Sequence, residues 1–263
     1  FRQFKSQSNF LRIMKSKLSS IIFFTFLISN SQTINLNESH LTNYLRTSQL
    51  LGKVKSDVSF TLKPLNIGND ELDIDPEVFN IDEYAPTLIS SNNEKIKIKV
   101  IPIDYNIEYN SQLPYNRNNG SMIPNRGYQH LVSAGIYAKI GPLSIQLKPE
   151  HLFSENKDFD GFGEGENGHY PYIWAKRFRL WNNIDMPERF GNSRHNKTLL
   201  GQSSIKFNFK SISIGISNEN IWWGPSIRNS IMMSNHARGF KHITLNTIKP
   251  MKTKIGNFEW QLV

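Results

Sequence analysis

Trp222-Trp223, followed by Gly224-Pro225 and then Arg228, are the residues of this chain best suited to hold a ligand. On an extended segment the two indoles point to opposite faces; on a loop before Gly224-Pro225 they lie side by side. An indole is a wide apolar plate with one polar N–H, and it can stack on the C–H face of a pyranose ring. Glu219, Asn220 and Arg228 stand near enough in sequence to bond sugar hydroxyls or a uronate carboxylate. The competing use of the tryptophans is an aromatic girdle, or a plug inside a lumen. Tyr170, Tyr172, Trp174 and Trp181 pose the same choice in a longer aromatic stretch. Arg177, Arg179 and Arg189 add guanidinium groups, which pair bidentately with carboxylates such as those of an acidic polysaccharide. For Arg189 the structural alternative is a salt-bridge network with Asp185 and Glu188. The candidate glycan-binding set is Trp181, Glu188, Arg189, Glu219, Asn220, Trp222, Trp223 and Arg228.

Other chemistries find less support. Asn156-Lys-Asp158-Phe-Asp160-Gly161-Phe-Gly-Glu164 puts oxygen ligands at alternate positions with glycine sixth, as a calcium loop does. Asn167 stands twelfth instead of a bidentate Glu, so Asp158, Asp160 and Glu164 are weak calcium candidates and a plain surface loop is favoured. Glycoside hydrolysis needs two carboxylates about 5–10 Å apart, and nothing in the sequence fixes Glu188 and Glu219 at that spacing. His169, His195, His236 and His242 show no HExxH spacing, and neither G-x-S-x-G nor a phosphate-cradling loop is present. There is no cysteine to serve as nucleophile or thiolate ligand. The expectation is a non-catalytic protein without a cofactor.

Composition narrows the class further. Aromatics make up 12% of the 263 residues, too many anchors for a disordered chain. No run of 18 apolar residues occurs, which excludes a bundle of transmembrane helices. The formal charge is +9, but five of the 31 basic residues and none of the 22 acidic ones fall within residues 1–32. The remainder carries only about +4 with scattered lysines, a weak footprint for nucleic acid. Met14-Lys-Ser-Lys17 is a short positive segment, residues 18–29 are apolar, and Ser29-Asn-Ser31 supplies small residues at −3 and −1. That is the three-part pattern of a cleaved secretory signal over 14–31, with 1–13 expected to be an upstream extension and Gln32 to open the mature chain. No cysteine follows the cleavage site, so no lipid anchor is expected.

Past the signal, Leu41, Tyr44, Leu45, Leu50 and Leu51 come close to helical spacing, with Asn37 or Ser39 as cap and Gly52 as stop. Phe60 to Pro64 reads as a short extended piece. Residues 66–93 are rich in Asn, Asp and Pro and read as linker, which makes 32–93 a helical segment plus linker and 94–263 a β region. There the period becomes two: Ile96, Ile98, Val100; Val132 through Ile140; Leu143, Ile145, Leu147; Ile205, Phe207, Phe209; Ile212, Ile214, Ile216; and Phe258, Trp260, Leu262. A soluble sandwich buries the apolar face of such strands, whereas a membrane barrel turns it to lipid and keeps the polar face for the lumen. Alternation alone does not choose between them. Connection lengths do more: Gly141-Pro142 and Lys210-Ser211 are very short turns, and 149–200 is one long excursion, as on the two rims of an outer-membrane barrel.

The runs Trp181 to Gly191, Gly201 to Phe209, Ile214 to Asn235, Gly239 to Asn246 and Ile255 to Trp260 together resemble the capsule assembly Wzi family as it occurs in Bacteroidetes. The most specific are Asp185-Met-Pro-Glu-Arg-Phe-Gly191 and Trp222-Trp-Gly-Pro225, and the resemblance is strongest from Pro124 onward. It implies an all-β fold, an antiparallel transmembrane β-barrel with a small periplasmic helical part, located in the outer membrane. It also implies a lectin-like, non-enzymatic role in attaching or assembling capsular polysaccharide at the cell surface. The partners implied are capsular polysaccharide, outer-membrane lipid and other export or surface-machinery proteins. Related sequences are tied to gliding motility, so a channel or motility component is the alternative. A barrel must close; only six to eight strands are counted and the alternation is still running at Gln261-Leu262-Val263, so the expectation is that this chain carries only the first part of the barrel.

Overall fold

The computed structural model describes residues 32–34, 36, 39–67, 75, 77–92, 95–114, 118–159 and 189–263. The export-signal segment and the 160–188 stretch, with Asp160, Glu164, Trp174, Trp181 and Glu188, lie outside them.

The first unit gathers around a small apolar cluster. It comprises β1 (Gln32–Ile34), α1 (Ser39–Leu50), β2 (Leu62–Lys63), β3 (Leu65–Ile67) and α2 (Ile81–Tyr84). Ile34, Leu45, Val58, Phe60 and Leu65 are buried together, with Leu41, Phe79, Ile81 and Tyr84 packed against them. Leu41 and Leu45 fall on one face of α1 because they are four residues apart. The helix stops at Gly52 (φ 73°), where Gly52 N–H donates to Gln49 O and Lys53 N–H to Ser48 O, a Schellman ending that favours glycine. Asn80 caps α2 by accepting from the amides of Asp82 and Glu83.

The second unit is one ten-stranded antiparallel sheet. Its strands are β4 (Thr87–Ser90), β5 (Ile96–Asn110), β6 (Gly127–Ile140), β7 (Leu143–Leu147), β8 (Glu150–Ser154), β9 (His195–Leu199), β10 (Ser204–Phe209), β11 (Ile212–Ser217), β13 (His242–Thr247) and β16 (Gln261–Leu262). β12 (Trp222–Trp223) pairs with β2, and β14 (Met251–Thr253) with β15 (Gly256–Phe258). β6 pairs with β7 along one half and β8 along the other, and these in turn pair with β10 and β9. β7–β8 and β9–β10 are thus two long strands, each interrupted midway. The breaks are local: Pro149 has no N–H to give the ladder, and Gly201 turns left-handed (φ 57°) beside it. The result is an up-and-down meander. The strand ends that join β4 to β5, β6 to β7 and β10 to β11 lie on one rim, and those that join β5 to β6, β8 to β9 and β11 to β13 on the other.

The sheet is inverted relative to a soluble core. On β10, Ser204, Lys206 and Asn208 are buried while Ile205, Phe207 and Phe209 are exposed. On β6, Gln129, Ser133 and Lys139 are buried, and Ile136 and Ile140 are 44% and 48% exposed. Ile214, Ile216 and Ile243, at 52%, 63% and 70%, continue this bare apolar face across β11 and β13. The polar face is covered instead, by the first unit and by the 218–240 segment.

Several expectations are corrected. The 66–93 stretch is not all linker: it holds α2 and β4, and β4 joins the sheet before residue 94. β5 runs on to Asn110, past the Ile96–Val100 alternation, and β13 adds a strand at His242–Thr247. The final run is not one strand, because β15 turns back on β14 and only β16 reaches the sheet.

Candidate functional site

The covered face carries a small apolar cluster, Met122, Ile123, Leu131 and Leu152, and beside it a network of charge and hydrogen bonds. Lys206 Nζ, on β10, donates to Glu219 Oε2 at 2.5 Å, with both side chains nearly inaccessible. Glu219 also accepts from Ser217 Oγ (2.9 Å), Gln146 Nε2 (3.3 Å) and the Thr33 hydroxyl. Burial alone would raise the Glu219 pKa; the Lys206 ammonium and these donors outweigh it and hold the carboxyl below its ordinary value. Thr33 N–H donates to Gln146 Oε1 at 3.1 Å, so β1 of the first unit is latched to the sheet by both its backbone and its side chain.

A second buried carboxylate, Glu150, accepts from Ser121 and from Gln202 Nε2 (2.9 Å). Gln202 also donates to Asn220 Oδ1 (3.0 Å) and accepts Asn220 N–H (2.9 Å), and Asn220 goes on to bond Ala237 O (2.8 Å). Lys148 pairs with Asp104 at 2.6 Å, reaching from β7 past β6 to β5. It passes at Gly135, where a Cβ would lie 2.5 Å from Leu147 O and 2.9 Å from Lys148 Cβ. Glycine is required there by space, not by φ.

After Ser217 the chain therefore turns inward over the polar face, and Trp222-Trp223 follows as extended β12. Trp222 pairs with Lys63 and Trp223 with Leu62, so the two indoles take opposite faces, the first of the two arrangements the sequence allows. Trp222 is 4% exposed, its indole N–H has no partner among the described residues, and Lys63 Nζ sits 5.5 Å from its ring centroid. Trp223 Nε1 donates to Gln261 Oε1 at 2.6 Å. Residues 224–231 form a closed loop: Ile231 N–H donates to Trp223 O (2.9 Å) and Trp223 N–H to Met232 O (3.0 Å). Arg46 Nη1 holds this loop at Pro225 O (2.7 Å), and Asn118 Nδ2 holds it at Arg228 O (2.8 Å).

A cleft of about 450 Å³ opens beside Trp222, lined also by Lys63, Asn106, Glu108, Asn118, Asn119 and Asn235. That lies within the ~300–1,000 Å³ of small-ligand sites. Glu108 is fixed in its wall by Asn110 Nδ2 (2.6 Å) and Asn119 Nδ2 (3.1 Å). An adjoining cleft of about 660 Å³ is lined by Asn43, Arg46, Thr47, Ser226, Arg228 and Asn229, and Ile227 borders both. Burial lowers the Lys63 pKa below its ordinary value, and nearby Arg46 lowers it further.

The structure brings together only part of the candidate set. Trp222 and Arg228 border these clefts. Glu219 and Asn220, at 2% and 4% exposure, are consumed by the buried network and face no open space. Trp223 is tied to Gln261. Arg189 clamps a loop: Nη2 donates to Asn156 O (2.7 Å) and Nη1 to Asp158 Oδ1 (3.1 Å), so among the described residues its carboxylate partner is Asp158, while Asp185 and Glu188 lie outside them. That same contact engages Asp158, the one described member of the calcium set. Among the described residues no group of three or more His, Asp or Glu side chains could hold a metal ion. Trp181, Glu188, Asp160 and Glu164 lie outside the described residues. Arg46, Lys63 and Glu108 carry no signal in the sequence, since each is far along the chain from Trp222 and none belongs to a motif.

No family model matches this chain, and neither a curated protein nor a solved structure matches it.

Proposed function

We propose that the chain is an outer-membrane β-barrel protein of the Wzi type that binds capsular polysaccharide and helps attach or assemble it at the cell surface. The observation that carries the membrane reading is the inversion of the sheet, with lysines and amides on its covered face and isoleucines and phenylalanines on its bare one. β5 and β6, at 15 and 14 residues, exceed the roughly 9–11 needed to cross a bilayer. Tyr105, Tyr128, His130 and Phe153 cluster on the bare face toward the long-loop rim, as an interfacial aromatic girdle would. The first unit meets the other rim through Lys97 and Lys99 to Asp82 and through Ser59 N–H to Glu259, and it also lies on the polar face, reaching the 218–241 segment through Thr33, Thr61 and Arg46.

The glycan reading draws on the clefts at Trp222, where an indole, amides, a fixed carboxylate and cations converge. The channel alternative loses ground to the Glu219 network, which fills the polar face with protein. The reading is tested by deleting the gene in its host and comparing cell-bound with released capsular polysaccharide. Polymer should move from cells to medium at constant total; an unchanged partition refutes the capsule role. Recovery of the protein in the soluble periplasm would refute the barrel.

A further inference from the structure

We infer that Arg46, Lys63 and Arg228 form an anion site that receives the carboxylate of a uronate residue, making the ligand an acidic glycan held beside Trp222. This rests on the glycan-binding reading above and names its substrate class. The three cations come from three places, α1, β2 and the 224–231 loop, yet they border two clefts that meet at Ile227.

Four other cations withdrawn from water are paired with carboxylates: Lys206 with Glu219, Lys148 with Asp104, Lys99 with Asp82 and Arg189 with Asp158. Among the described residues Arg46, Lys63 and Arg228 have no carboxylate partner. Lys63 has only the face of Trp222, and Arg46 a single backbone carbonyl. Glu108 lines the same cleft as Lys63, but both its oxygens are held by Asn110 and Asn119. A half-buried ammonium without a counter-ion costs stability, and an incoming carboxylate would supply the missing charge. Guanidinium groups suit that carboxylate by their paired donors. The fixed Glu108 acts as an acceptor for hydroxyl groups at the other end of the sugar, which orients the ring with its acid toward Lys63. The cleft beside Trp222 is lined by Asn106, Glu108, Asn118 and Asn119 around Lys63, and this hydroxyl-matching set of amides favours a sugar over a lipid phosphate as the bearer of the anion.

The test is titration of the full-length protein in detergent micelles with hexameric oligogalacturonate, with the same oligomer reduced at its carboxyls, and with inorganic phosphate. The acidic oligomer should bind on the order of tenfold or more tighter than the reduced one, a preference expected of charge-assisted pairing. Arg228→Gln, on an exposed loop, and Lys63→Gln should each erase most of that preference while the circular dichroism spectrum stays unchanged. Equal binding of both oligomers, indifferent to the two substitutions, overturns the anion site and leaves glycan binding standing. Phosphate competing as well as the uronate overturns the acidic-glycan assignment. If neither oligomer binds and gene deletion leaves capsule on the cells, the underlying reading itself fails.

Discussion

Glu219→Gln should be among the most damaging single substitutions in the protein, although it preserves shape. Glu219 receives four donors, and its partner Lys206 has a side chain only 5% exposed. Removing the negative charge leaves an ammonium buried on the sheet with no anion, which costs about 3–5 kcal/mol when one partner of a buried pair is lost. Lys206→Met alone strands the carboxylate and should cost a similar amount. Lys206→Met/Glu219→Gln removes both charges and should recover most of the loss, so the double-mutant cycle should show a coupling of several kcal/mol. Urea unfolding of protein folded into vesicles, followed by tryptophan fluorescence, reads all three. A loss below about 1 kcal/mol for Glu219→Gln, or additive single losses, refutes the argument. The pH dependence has a definite sign. The folded-state pKa of Glu219 is depressed, so its contribution is present above the ordinary value of 4.5 and is lost as pH falls through the lower folded value. Thr33→Val should cost about 1.5–3 kcal/mol, the range for a hydrogen bond to a charged group. It should also free β1, seen as faster proteolysis before Leu41.

Three further outcomes test other links. Ile136→Arg, near the middle of β6 on the bare face, should destabilise a lipid-embedded sheet by about 2–4 kcal/mol; a neutral effect on unfolding in vesicles would place that face in water. Gly135→Ala should cost about 1–3 kcal/mol, because its Cβ meets the Leu147 carbonyl and the Lys148 stem, and wild-type stability of this variant would show that Lys148 need not pass there. Lys63→Met should raise the midpoint of thermal unfolding. Because the folded-state pKa of Lys63 is lowered, wild-type stability should also climb as pH rises from that value toward 10.5; a lowered midpoint in Lys63→Met would show that its contact with Trp222 outweighs its desolvation.

The sequence makes the strands legible and leaves their facing undetermined, for a physical reason. A period of two says that Lys206 and Ile205 point to opposite sides, but it carries no information about which side is covered. That choice is made by Glu219 and Thr33. The first follows Lys206 by 13 residues, and the second lies 186 residues from Glu219. Without them, burying Lys206 would be prohibitive; with them, the lysine face can be covered and the apolar face left bare. The same long-range dependence misdirected the reading of the site. Glu219 and Asn220 look available because they precede Trp222 in sequence. The chain turns inward after Ser217, however, and spends both side chains on Lys206 and Gln202 before the tryptophans are reached. Trp222 keeps its place in the site because β2 pairs with it and brings Lys63 over its ring. α1, packed in the same unit, brings Arg46 to Pro225. Helical spacing at Leu41 and Leu45 predicts α1 itself but gives no hint that its Arg46 faces the Trp222 loop, since that docking depends on a strand pairing of two residues. The chemistry at Trp222 is thus assembled by the first unit, and loss of the β2–β12 pairing should disable the site while leaving the ten-stranded sheet intact.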